Sequence, residues 1–138
     1  KLLFTILFRS SLFSLVIEML KERGILDKII DKEPDLSKEK LYKTLQGAID
    51  AQKYLIPKIE EINSSNHSNI VFLTGIGQVY PFIRSHSVLN NLQNSIKDRP
   101  TVMFFPGIYD GTSLSLFGKL KDDNYYRAFN LETINLVK

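Results

Sequence analysis

Residues 70–105 read IVFLTGIGQVYPFIRSHSVLNNLQNSIKDRPTVMFF. Ile70–Leu73 is an apolar run of strand length. Phe82, Ile83, Leu89, Leu92 and Ile96 recur at helical spacing after Pro81, which reads as the first position of that helix. Pro100 then introduces a second apolar strand, predicted over Thr101–Phe105. This strand-helix-strand order, with strands apolar at nearly every position, predicts parallel strands buried on both faces. The loops after Leu73 and Phe105 are then expected to leave from one carboxyl edge, where such folds place ligands, so that residues 74–80 face residues 106–111.

Upstream, the apolar run Leu2–Phe8 predicts a strand that feeds a helix marked by Leu12, Leu15, Val16, Met19 and Leu20. Ser10 or Ser11 can cap its start, and Gly24 after Lys21 and Arg23 closes it. Arg9, Glu18 and three serines interrupt the stretch as a membrane span or signal peptide. Charges of both signs around Pro34 read as a solvated surface. Leu41, Leu45, Ile49, Leu55, Ile56, Ile59 and Ile62 continue an apolar stripe that Gly47 and Pro57 divide into two short helices or one kinked helix. The polar connector Asn63–Asn69 contains His67, read as solvated.

The 138 residues, 43% hydrophobic and 24% charged, describe one domain of ordinary size. The fold class expected is α/β, a three-layer sandwich with a mainly parallel sheet flanked by helices, over residues 1–138. Eighteen basic against 15 acidic side chains, with no basic run, make a poor nucleic-acid footprint, although DNA binding stays open. The absence of cysteine removes disulfides, thiolate nucleophiles and cysteine-held metal, and fits a cytoplasmic protein.

Candidate chemistry begins at Gly75 and Gly77, between a strand and a helix, where backbone N–H groups could face an anion. The dinucleotide fingerprint is incomplete, since Tyr80 occupies its third glycine position and no acidic residue ends the next strand. No intact Walker A sequence occurs either. Arg84, read in the first turn of the Pro81 helix, is expected to pair with a carboxylate such as Asp110 or with an incoming anion, or to extend into solvent. His86 reads as a half-buried, hydrogen-bonded histidine rather than a base. With His67 and His86 the only histidines, no catalytic triad or multi-histidine metal site is expected, and no cofactor.

The block Thr101–Leu131, TVMFFPGIYDGTSLSLFGKLKDDNYYRAFNL, places aromatics, glycines and charges on what reads as loop and edge. Asp122–Asn124 is expected to form a turn. Residues 125–131 have strand composition, with Tyr125, Arg127, Phe129 and Leu131 on one face and Tyr126, Ala128 and Asn130 on the other. Tyr109, Asp110, Tyr125, Tyr126 and Arg127 join Gly75, Gly77, Arg84 and His86 as candidate partner- or ligand-binding residues, since tyrosine and arginine anchor protein interfaces.

The stretches LTGIGQVYPFIRSHSVLNNLQ and TVMFFPGIYDGTSLSLFGKLKDDNYYRAFNL, with SLVIEMLKERGILDK earlier, resemble the BrxB family, small components of the BREX bacteriophage-exclusion systems of bacteria and archaea. The matched residues are Gly75, Gly77, Pro81, Arg84 and His86, then Pro106, Gly107, Tyr109–Gly111, Leu116–Gly118 and Tyr125–Arg127. The resemblance implies a further N-terminal segment before residue 2 and action beside a phosphatase-like PglZ protein, a large ATPase and a DNA methyltransferase. It supplies no catalytic role. The expected function is a non-catalytic adaptor that binds another BREX protein, most plausibly the PglZ-like one. The alternative is a nucleotide-, phosphate- or DNA-binding module using the Gly75–Tyr80 loop.

Overall fold

In the computed structural model, residues 7–65 and 67–134 are described. The predicted strand Leu2–Phe8 therefore lies largely outside the described residues. The chain divides into two compact units, Lys1–Phe104 and Phe105–Lys138.

The first unit opens with strand β1 (Leu7–Ser11), which runs directly into helix α1 (Leu12–Glu22). The predicted periodicity is the packing face of that helix, since Leu12, Leu15, Val16, Met19 and Leu20 are all buried. Gly24, at φ +63°, donates its N–H to the Lys21 carbonyl and closes the helix as expected. Helix α2 (Leu26–Lys32) leads to α3 (Lys38–Ala48), capped by the Ser37 hydroxyl on the Lys40 N–H. A π-helical turn at Ala51–Leu55 lies between α3 and α4 (Ile56–Ser65) and runs directly into α4, whose second residue is Pro57. The two short helices read from Gly47 and Pro57 are thus present.

Strand β2 (Ile70–Thr74), helix α5 (Ser85–Ser95) and strand β3 (Thr101–Met103) complete the predicted strand-helix-strand unit. The three strands pair in parallel in the order β1-β2-β3, with Leu7 opposite Ile70 and Val71 opposite Thr101. Val71 and Leu73 of the central strand are fully buried, whereas Ile70, Phe72 and Thr74 are half-buried. On that second face the Phe72 ring meets Phe104 edge-on at 5.4 Å.

The second unit is antiparallel. Strands β4 (Gly107–Tyr109), β5 (Leu114–Leu116) and β6 (Leu120–Lys121) form a meander with Tyr109 opposite Leu114 and Leu116 opposite Leu120.

The expected three-layer sandwich with a mainly parallel sheet is therefore incorrect. The parallel sheet is small, and its central strand is not enclosed on both faces. The chain beyond Phe105 reverses at Asp110–Thr112 and again at Phe117–Lys119, leaving no length for the crossover that further parallel strands require.

Two local expectations also change. Pro81 stands in a turn and α5 begins at Ser85, so Arg84 precedes the helix in extended conformation (φ −101°, ψ 141°) instead of lying in its first turn. Residues 125–131 form no ladder strand, and a short 3-10 turn covers Leu131–Thr133.

Candidate functional site

In the first unit, Gly75 follows β2 at φ +77°, a left-handed conformation that glycine adopts without penalty. A Cβ there would lie 3.0 Å from both Ser11 Oγ and Gln78 Oε1. The glycine is accounted for by this turn and its packing. Gly77 lies in the 3-10 turn Ile76–Gln78 that follows. A dinucleotide turn needs a helix N-terminus immediately after its glycines, and α5 starts only at Ser85. Arg84 is exposed. His86 is half-buried, with Nε2 2.8 Å from Asn90 Nδ2 one helical turn on.

The other five candidates converge in the second unit. Tyr109, Asp110, Tyr125, Tyr126 and Arg127 line one open concavity of about 820 Å3, together with Gly111, residues 128–130 and Thr133. Its walls are tied together by hydrogen bonds. The Tyr109 hydroxyl lies 2.8 Å from the Gly111 carbonyl, 2.9 Å from that of Ala128 and 3.3 Å from that of Tyr126, and its single proton serves one of them at a time. Tyr126 donates its N–H to the Thr112 carbonyl (2.9 Å) and its hydroxyl to Asp122 Oδ2 (2.6 Å). Asp122 Oδ1 also accepts from the Asn124 N–H at 3.1 Å, which makes the predicted turn.

Asp110 organises the β4–β5 turn. Oδ1 accepts from the N–H groups of Ser113 (2.7 Å) and Thr112 (2.9 Å) and from the Thr112 hydroxyl, while Oδ2 accepts from the Ser113 hydroxyl. These donors, the Ser113 N–H foremost, hold the carboxyl far below the usual carboxylate range. A carboxylate so occupied is a poor proton acceptor and has little capacity left for a metal. Among the described residues no group of three or more acidic or histidine side chains is placed to hold a metal ion.

A pH dependence follows. The folded-state pKa of Asp110 is depressed, so its contribution to the turn is fully present above the ordinary Asp value of about 4 and is lost as pH falls from there. The stability of the turn, read as the opening free energy from hydrogen exchange of the Thr112 and Ser113 N–H groups, is expected to hold from neutral pH to about 4 and to fall as pH is lowered further. In Asp110→Asn that acid-side step is expected to disappear.

Residues 125–131 alternate as the sequence indicates, without being a ladder strand. Tyr126 is 2% exposed and Ala128 and Asn130 half-buried, whereas Tyr125, Arg127, Phe129 and Leu131 are exposed, Tyr125 by 66% and Phe129 by 87%. The bonds to Thr112 and Tyr109 take the place of a partner strand, fixing one row of side chains inward and the other toward solvent. Of the further exposed apolar side chains on the meander, Ile108 (61%) and Phe117 (55%) are more exposed than Leu120 (42%). Neither belongs to the candidate set read from sequence. Ile108 carries no sequence signal, because strand composition alone does not tell an exposed position from a covered one. Phe117 does carry one in the dipeptide Phe117-Gly118, an aromatic at a turn position.

Among the described residues no helix is long and apolar enough to cross a membrane.

Comparison with known proteins accords with the resemblance read from the motifs. The family model described as "BREX protein BrxB" matches residues 8–131. A curated protein named BREX protein BrxB from Bacillus cereus (strain H3081.97) is 45% identical over 121 residues, and one of the same name from Escherichia coli O9:H4 (strain HS) is 35% identical over 121 residues. The alignments take in 87% and 88% of this chain but 63% and 60% of those proteins, so the chain spans about three fifths of its relatives' length. No solved structure matches.

Proposed function

This chain belongs to the BrxB family of BREX phage-defence components, and from that premise we propose that it is a non-catalytic adaptor whose second unit binds another protein of the system, the PglZ-like one. The observation that carries this reading is the outward row of residues 125–131. Tyr125, Phe129 and Leu131 are exposed on a segment whose alternate residue, Tyr126, is buried and doubly hydrogen-bonded. A loose tail would hide its aromatics by collapse. Here the inward anchors hold the row outward, which lowers the ordering cost of binding. Tyrosine and arginine are the residue types that dominate interface energetics, and Tyr125 and Arg127 stand side by side in the exposed row.

The charge pattern accords with a protein partner. The formal charge of +3 is small, and residues 105–138 carry acids and bases intermingled, without the basic stripe that nucleic acid selects. Titration of this protein against the PglZ-like protein of the same defence system, at low and at physiological salt, is expected to give micromolar or tighter binding that weakens only modestly with salt. Failure to bind at either salt would refute the assignment of that partner.

A further inference from the structure

At the tip of the β5–β6 hairpin, Phe117 (φ +56°) and Gly118 (φ +68°) both lie in the left-handed region, and the Leu116 carbonyl accepts from the Lys119 N–H at 3.0 Å. Two consecutive residues at positive φ are what a primed hairpin turn requires, and Asn-Gly is the sequence that meets this demand with least strain. Phenylalanine meets it badly. Among the described residues it is the only non-glycine with positive φ, and its ring is more than half exposed. The position is unfavourable both in backbone and in solvation. Such an outlier points from strain to function.

Its surroundings indicate what it fits. The Phe117 N–H is fixed on the Pro106 carbonyl at 2.8 Å, so the tip is held by the residue that precedes β4. The exposed Ile108 side chain lies against Gly118, where a Cβ would meet Ile108 Cδ1 at 3.4 Å. Lys119 and Lys121, the charged residues of the segment from Gly111 to Lys121, are exposed, and Asp122 and Asp123 follow at its end.

We propose that Phe117 is a preformed plug that, with Ile108 beside it, enters an apolar pocket rimmed by carboxylates on a partner protein. The proposal rests on the adaptor reading above and names the anchor of that interface. One aromatic and two lysines are too little for a membrane, where stable anchoring takes two signals, and for nucleic acid, where affinity scales with the phosphates neutralised. A single rigid aromatic in a fitted protein pocket suffices as a hot spot.

Phe117→Asn tests this, because the two roles of the residue move in opposite directions. Asparagine suits the turn, so the melting temperature is expected to hold or rise. Affinity for the purified PglZ-like protein is expected to fall at least tenfold, and Lys119→Glu is expected to weaken it further. If the wild type binds and Phe117→Asn binds within twofold of it, the plug is wrong and the adaptor reading stands. If the wild type fails to bind that protein, the assignment of that partner falls and the plug falls with it. If anionic phospholipid vesicles retain the wild type and lose Phe117→Asn, the residue anchors to lipid and the protein-pocket assignment is overturned.

Discussion

Gly107→Ala is expected to disrupt the antiparallel sheet and with it the proposed docking surface. Gly107 sits on β4 opposite Leu116, and a Cβ there would fall within van der Waals contact of the Ser115 carbonyl oxygen and 2.7 Å from a Phe105 ring carbon. The first obstacle is backbone, and that same carbonyl accepts from Gly118 in the hairpin turn. It cannot swing aside as a side chain would. Overpacking costs about 1–3 kcal/mol and occasionally more, and the absence of a flexible neighbour places this case at or beyond the upper end. Backbone NMR is expected to show β4–β6 resonances collapsing toward unfolded positions and partner binding lost. A native-like spectrum for Gly107→Ala would contradict the strand pairing.

The adjacent tyrosines give the second large effect, through contrast. Tyr126 is buried, and removing its ring and its bond to Asp122 is expected to cost about 3–5 kcal/mol, as for other large aromatic truncations. Tyr125, one residue earlier, is exposed, and Tyr125→Ala is expected to change stability by less than about 0.5 kcal/mol. Its cost falls on the partner, about 2 kcal/mol or roughly thirtyfold in affinity. Thermal unfolding and a binding titration on the two variants check both halves. Equal stability losses would mean the outward row is not what the alternation indicates.

Much of the first unit was legible in the sequence because its elements are long enough to show a period. Helix α1, its glycine stop, the break between α3 and α4 and the β2-α5-β3 order all follow from apolar spacing and breakers. The start of α5 was misread because Pro81 followed by apolar residues suits a turn as well as a first helical position. The antiparallel sheet was not legible, since strands of two or three residues hold too little pattern to separate from loop. Alternation at residues 125–131 was read correctly as two faces and wrongly as a strand. Period two reports which side chains turn inward, whereas a ladder also needs a partner backbone, and here side-chain and isolated backbone bonds supply the anchoring instead.

Within the candidate site, sequence grouped Tyr109 and Asp110 with the recognition residues because their types suit interfaces. Their bonds show what types alone do not. Asp110 closes a turn and Tyr109 braces the segment that carries Tyr125 and Phe129, so both hold the display in place. The Phe117-Gly118 dipeptide marks a turn in the sequence, whereas the positive φ of Phe117 is visible only in the structure.

Hydrogen–deuterium exchange of the chain, free and bound to the PglZ-like protein, tests the central claim most directly. The account predicts that binding slows exchange within residues 105–134, centred on the Phe117 turn and the 125–131 segment, with the helices of the first unit unchanged. Protection confined to residues 12–95 in a tight complex would contradict it.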